Sequence, residues 1–301
     1  MRLIALGILL ASTGSAHAAQ TRYDIDKERE TWSFDVAWTG SDGAAHSASF
    51  TLPAAGVQED LETPLTFRKN DAAQMVAKKV NNWAASLRDV KIKAKAKGGD
   101  IQISASGSSS RAVKDALAEA AIVRDEAMDS YLAGHGYRRL DKDIIPDHPG
   151  HVDAYAADLA PVVEALGGST PDPRDFATLA LGFVQNIPYE HRTKISDRYR
   201  RPLSLLGRNK GDCDSKTVLY LALLRAAYPD LPLAIVYIPG HAFGAVGLDP
   251  IRGDTSFREE GQVWVGVEPV GPALAEVGEL GGKSRRRVRW GRADILIVGA
   301  P

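Results

Sequence analysis

A chain of 301 residues with one cysteine, Cys213, cannot staple itself with an internal disulfide, so its fold must be held by a packed core. That cysteine stands in Gly211-Asp212-Cys213-Asp214-Ser215-Lys216-Thr217. A helical pattern follows over 217–228, filled by Val218, Leu219, Leu221, Leu223 and Leu224. Strand-like runs come next at 233–238, 242–248, 263–267 and 295–298. The expected core is therefore one cysteine-bearing helix packed on an antiparallel sheet. The flanking Asp212, Asp214, Ser215 and Lys216 are a poor shell for a small hydrophobe, which argues against a cysteine serving only as core filler.

The N-terminus reads as an export signal over 1–18. Arg2 supplies the positive region, Leu3 to Leu10 the apolar stretch and Ala16-His17-Ala18 a small-residue cleavage site. The apolar stretch is shorter than the roughly 20 residues a membrane span needs, so the expectation is a protein that is periplasmic or secreted and does not span a membrane. The chain carries 37 basic and 38 acidic residues, a formal charge of −1, and loss of Arg2 takes it to −2. That balance gives no argument for nucleic acid as a partner. The basic run from Arg285 to Arg289 reads as a solvated or substrate-steering surface.

Nearly 300 residues suit two units, with a division expected near the prolines and glycine between Asp143 and Gly150. Residues 19–145 read as an N-terminal α+β accessory domain and 146–301 as the domain that holds the cysteine. In the first, 31–38 and 46–52 flank Gly40-Ser41-Asp42-Gly43 as a hairpin, and a helix fits 71–87. Val90, Ile92, Ala94 and Ala96 alternate with Lys91, Lys93, Lys95 and Lys97 before a Gly98-Gly99-Asp100 turn, the pattern of a sheet with one solvated face. A long helix is expected over 111–133. Asp147, His148, His151 and Asp153 lack a settled ligand geometry, so no metal and no cofactor are expected.

The chemistry comes from order and type. A thiol attacks amides poorly until it ionises, and a cysteine in the first turn of a helix has unpaired N–H groups and the positive dipole end beside it. His241, 28 residues on and between Gly240 and Gly244, is the preferred base; His191 is held in reserve. Glu268, after the run Val263-Trp264-Val265-Gly266-Val267, would orient the imidazole, with Asp249 as its rival. Gln185, in Phe183-Val184-Gln185-Asn186-Ile187-Pro188-Tyr189, is the candidate for oxyanion support beside the Cys213 N–H. Tyr189 is a candidate to line the cleft, hold its loop or sit in the core, Trp264 to pack under Glu268 or border the substrate channel, Asp214 to line the cleft or accept helix N-terminal hydrogen bonds, and Asp212 and Lys216 to tune the field or make loop contacts.

These residues resemble the bacterial transglutaminase-like cysteine proteinase group of the papain-like superfamily. The resemblance runs from Phe183-Val184-Gln185 and Ile187-Pro188-Tyr189 through Pro202, Leu205 and Gly211-Asp212-Cys213-Asp214 to Gly240-His241 and Val267-Glu268. It covers somewhat over a third of the chain. It implies an α+β, papain-like core in which Cys213 is the nucleophile, His241 the base, Glu268 the orienting acid and Gln185 the residue near the oxyanion. Some exported relatives use calcium, and this chain shows no clear cluster of paired acidic ligands. The function expected is a cysteine peptidase or amide hydrolase acting on peptide or protein through an acyl thioester. The alternatives are a transglutaminase resolving the same thioester with an amine, and a non-catalytic envelope module.

Overall fold

The structure, a computed structural model, describes residues 18–190 and 199–299. The export signal, apart from Ala18, and His191 lie outside the described residues. The fold is mixed α+β with antiparallel sheets. The chain divides into two compact units. One comprises the residues up to Glu59 together with those from Val152 onward; the other is Asp60–His151. This cuts the chain differently from a single division at 145/146.

The opening segment explains the difference. Strands β1 (Gln20–Lys27), β2 (Thr31–Thr39) and β3 (Ala45–Pro53) form a three-stranded antiparallel sheet in that order, followed by helix α1 (Ala54–Glu62). The expected hairpin is β2–β3, paired in register from Thr31↔Pro53 to Thr39↔Ala45. Alternation puts Trp32, Phe34, Val36 and Trp38 on one buried face of β2, opposite Ala48, Phe50 and Leu52. Such a face must be covered. Phe183 covers it, with its ring 5.5 Å from Trp38 and 6.5 Å from Phe50. The first sheet therefore belongs with the cysteine-bearing half.

The second unit holds α2 (Lys69–Ala84), β4 (Val90–Lys97), β5 (Asp100–Gly107), α3 (Ser110–Ala133), β6 (Tyr137–Leu140) and β7 (Asp143–Pro146), and α4 (His148–Ala154) crosses its end. Ile92 and Ala94 bury against Val76, Val80, Ala116 and Ala120, while the four lysines of β4 face solvent. Asn81 lies along β4: its side-chain amide donates to Ala94 O at 2.9 Å and accepts from Ala94 N at 2.8 Å. His148 is 1% exposed, and burial pushes its pKa down to about 3, so its ring is neutral.

The first unit resumes with α5 (Ala160–Ala165), α6 (Pro173–Asn186), α7 (Pro202–Arg208), α8 (Cys213–Ala227), β8 (Leu233–Ile238), β9 (His241–Val246), β10 (Ser256–Glu259), β11 (Gln262–Val267), α9 (Gly282–Arg289) and β12 (Asp294–Ile297). The strands form one antiparallel sheet in the order β10-β11-β9-β8-β12. Helix α8 is buried without a break from Ser215 to Leu224, as an apolar helix inside a core must be. It packs on β9 so closely that a Cβ on Gly244 would lie 3.3 Å from Leu221 Cδ2 and 2.8 Å from Val267 Cγ2. On the opposite face Phe243, Ala245, Val236, Ile238 and Trp264 pack with Leu280, and Val288 of α9 packs against them.

Candidate active site

The entry to α8 is built around Gly211, where a Cβ would sit 2.7 Å from Leu205 Cδ1. Gly211 bridges Tyr189 and accepts from Glu190 N at 2.9 Å, which seats the 188–190 segment against the start of the helix. Asp212 is the N-cap: its Oδ1 accepts from Ser215 N at 3.1 Å and from Ser215 Oγ at 2.6 Å. Cys213 is the first residue of the helix, with its thiol partly exposed.

Helix and strand spacing set the level of that thiol. Thr217 Oγ1 lies 3.5 Å from Ala242 O, and Leu221 meets Gly244. Four helical residues advance about 6 Å and two strand residues about 7 Å, so stepping back one turn brings Cys213 level with Gly240 and His241. The Ala242 backbone, next to His241, acts on the thiol and pulls its pKa downward, which sets the sulfur beside the start of β9.

His241 Nε2 lies 2.9 Å from Glu268 Oε1 and 3.1 Å from Oε2. A carboxylate accepts, so the ring donates through Nε2 and leaves Nδ1 as its basic nitrogen. Among the described residues no hydrogen bond or ion pair joins the rival Asp249 to His241, and the Asp249 backbone carbonyl accepts from Arg174 Nη2 at 2.9 Å. Of the two acids, the structure pairs Glu268 with the imidazole.

Four expectations are corrected by these contacts. Among the described residues no hydrogen bond joins Cys213 to His241; the thiol instead donates to Asp214 Oδ1 at 3.3 Å. Second, the sulfur is not ionised by its place on the helix. Burial pushes the thiol pKa up, the Asp214 and Asp212 charges add to the rise, and the Ala242 backbone only partly offsets it. Third, Gln185 is not an oxyanion donor: it is 2% exposed, and its amide donates to Glu268 O at 2.8 Å and Ala275 O at 3.0 Å. It is a strap that fixes the backbone carrying Glu268. Fourth, Trp264 lines no cleft, because it is 1% exposed within the sheet core and its Nε1 reaches Glu259 O at 3.4 Å.

Tyr189 and Asp214 both meet the sulfur. The Tyr189 phenol hydrogen-bonds Cys213; burial, then the neighbouring negative charges, push its pKa up to about 12, so it stays a proton donor at neutral pH.

Lys216 had no settled role on sequence grounds. It is fully buried, and its Nζ donates to Gln185 O at 3.1 Å and Ile187 O at 2.7 Å, closing the last carbonyls of α6. Burial lowers its pKa to about 7, against a smaller pull upward from Glu268. A neutral amine has two N–H donors, and two carbonyls take them. The signal available was a lysine inside an otherwise apolar helical run, a residue type rarely buried without partners.

Among the described residues no group of three or more His, Cys, Asp or Glu could hold a metal ion. No helix among them is long and apolar enough to cross a membrane. No family model, curated protein or solved structure matches the chain.

Proposed function

We propose that the protein is an exported cysteine peptidase or amide hydrolase, with a transglutaminase-like, papain-like core, acting on peptide or protein substrates in the periplasm or outside the cell. The observation that carries this reading is the His241–Glu268 pair at 2.9 Å, at the start of β9 and beside Ala242, whose backbone acts on the Cys213 thiol. A core cysteine has no need of an oriented imidazole at its own level.

In the reaction the thiol leaves Asp214, and its proton passes to His241 Nδ1 as sulfur attacks the amide carbon. Glu268 accepts from Nε2–H and stabilises the imidazolium. The oxyanion takes the Cys213 N–H and the Tyr189 phenol, the second of which already meets the sulfur. His241 returns the proton to the leaving amine, which departs and leaves an acyl thioester on Cys213. Water then attacks the thioester, giving its proton to His241; collapse expels the sulfur, which regains the proton. An amine in place of that water would give transamidation. The raised thiol pKa and the Cys213–Asp214 contact are what favour the rival reading of a non-catalytic envelope module.

Turnover of a peptide-amide library by the mature protein tests the reading. Wild type is expected to turn over at least one member, and Cys213→Ala none; equal turnover by both would remove the assignment. Tyr189→Phe is expected to lower kcat by about 100-fold with KM little changed, the loss of one oxyanion donor. A change confined to KM would instead make Tyr189 a wall of the cleft.

A further inference from the structure

Helix α9 and the residues after it carry Lys283, Arg285, Arg286, Arg287, Arg289 and Arg292 within ten positions that contain no acid, in a chain whose formal net charge is −1. Arg285, Arg286, Arg289 and Arg292 are exposed. None of the five arginines has a carboxylate within ion-pair distance among the described residues, whereas Arg174, Arg200 and Arg225 all do. Trp290, at the end of the helix, is 59% exposed, with the Arg292 guanidinium 5.6 Å from its ring. A helix C-terminus favours one or two cations through its dipole. It does not call for five arginines and a bare indole.

The place of this helix matters more than its charge. Lys283 Nζ donates to Pro239 O at 2.6 Å, tying the first turn of α9 to the tight β8–β9 turn that ends at His241. Ser284 and Val288 face inward, and Val288 packs on the sheet face that holds Phe243. The His241 ring lies 6.0 Å from the Phe243 ring. Pro239 is two residues before His241, so the tie from Lys283 sets the first turn of α9 beside the turn that presents the imidazole.

We propose that α9 is an exosite for an acidic segment of the substrate polypeptide, engaging Asp or Glu side chains that flank the amide attacked by Cys213. The proposal rests on the hydrolase reading and names its substrate class. Exposed arginines recognise carboxylates through paired N–H donors and steer them at long range. Trp290 adds a flat apolar surface for the substrate backbone or an aliphatic side chain. A peptide occupant is favoured over an anionic membrane because the patch is anchored to the turn that ends at His241.

Binding to the Cys213→Ala protein tests this without turnover, so failure of the exosite and failure of the chemistry can be told apart. The probe is a labelled decapeptide with six Glu, set against its Gln counterpart, with anionic phosphatidylglycerol vesicles as a separate arm. The Glu peptide is expected to bind about tenfold tighter than the Gln peptide at 50 mM salt and to lose most of that margin at 300 mM. Arg285→Gln/Arg286→Gln/Arg289→Gln should abolish the preference without changing the melting temperature, since these side chains are exposed. Arg285→Glu/Arg286→Glu/Arg289→Glu should turn it toward a Lys peptide. Equal binding of Glu and Gln peptides, or a preference that survives the triple Gln variant, would overturn the proposal. So would capture by the vesicles with no peptide preference.

Discussion

His241→Ala lowers kcat/KM for any cleaved amide by about 10³- to 10⁴-fold, the loss expected when one group is both base toward the thiol and acid toward the leaving amine. The effect appears in kcat, because the ring acts on protons in flight rather than on bound substrate. Glu268→Ala also lowers kcat, by up to about 10⁴-fold, since the imidazole loses the carboxylate that fixes its tautomer and orientation and stabilises its charged form. The side chains of His241 and Glu268 are 22% and 16% exposed, so neither change should shift melting by more than a few degrees. Steady-state kinetics beside a melting curve checks both statements. A His241→Ala protein with full kcat would remove the imidazole from the mechanism.

Lys216→Met carries the largest stability effect. The side chain is buried, and removing the amine leaves Gln185 O and Ile187 O without the partner that closes α6. An unsatisfied buried acceptor costs about 1–3 kcal/mol. The apolar thioether recovers part of that by sparing the desolvation of an amine, so a net loss of about 3 kcal/mol is expected. Because the folded pKa is lowered to about 7 from the ordinary lysine value, the unfolded chain binds more protons between the two. Wild-type stability from this group therefore falls as pH drops toward 7 and grows as pH rises toward 10, by roughly 1.4 kcal/mol per unit. The gap between wild type and Lys216→Met should widen accordingly from pH 7 to pH 9 in denaturant melts. A gap that stays flat from pH 7 to pH 9 would mean the amine is charged in the fold.

The same lysine links stability to chemistry. Ile187 lies two residues before Tyr189, whose phenol meets the sulfur, and Gln185 holds the carbonyl of Glu268. One buried amine thus fixes the end of a helix from which two parts of the site are hung. Loosening it should cost activity before it unfolds the protein.

What could be read from the sequence follows from where periodicity and burial coincide. Helix α8, the β2–β3 and β4–β5 hairpins and helix α3 all carry apolar spacing that matches their own period, and each forms close to its expected bounds. Strand β1 escaped because Gln20–Lys27 is an edge with mostly exposed or half-buried residues and no apolar face to reveal it. The domain division escaped for a related reason. Which surface covers Trp38 and Phe50 is a long-range fact, and Phe183 lies more than 130 residues away in sequence.

At the site, order and residue type were enough to pair His241 with Glu268. They were not enough to foresee Gln185, whose amide could equally serve an oxyanion or two carbonyls, and only the burial of both partners decides between them. The thiol was misjudged because a helix N-terminus is a weak field beside two aspartates and the loss of water. Gly211-Asp212-Cys213-Asp214 displayed those aspartates openly; their distance to sulfur was not there to read.

The claim on which the rest depends is that the Cys213 sulfur forms a bond to an acyl group. Acid-quenching the mature protein during reaction with an isotope-labelled peptide-amide library, followed by peptide mapping, measures that bond directly. The account predicts a labelled acyl group on the peptide containing Cys213, released by hydroxylamine and absent from the Cys213→Ala protein. Amide cleavage with no acyl group on that peptide, or with the label on another residue, would contradict it.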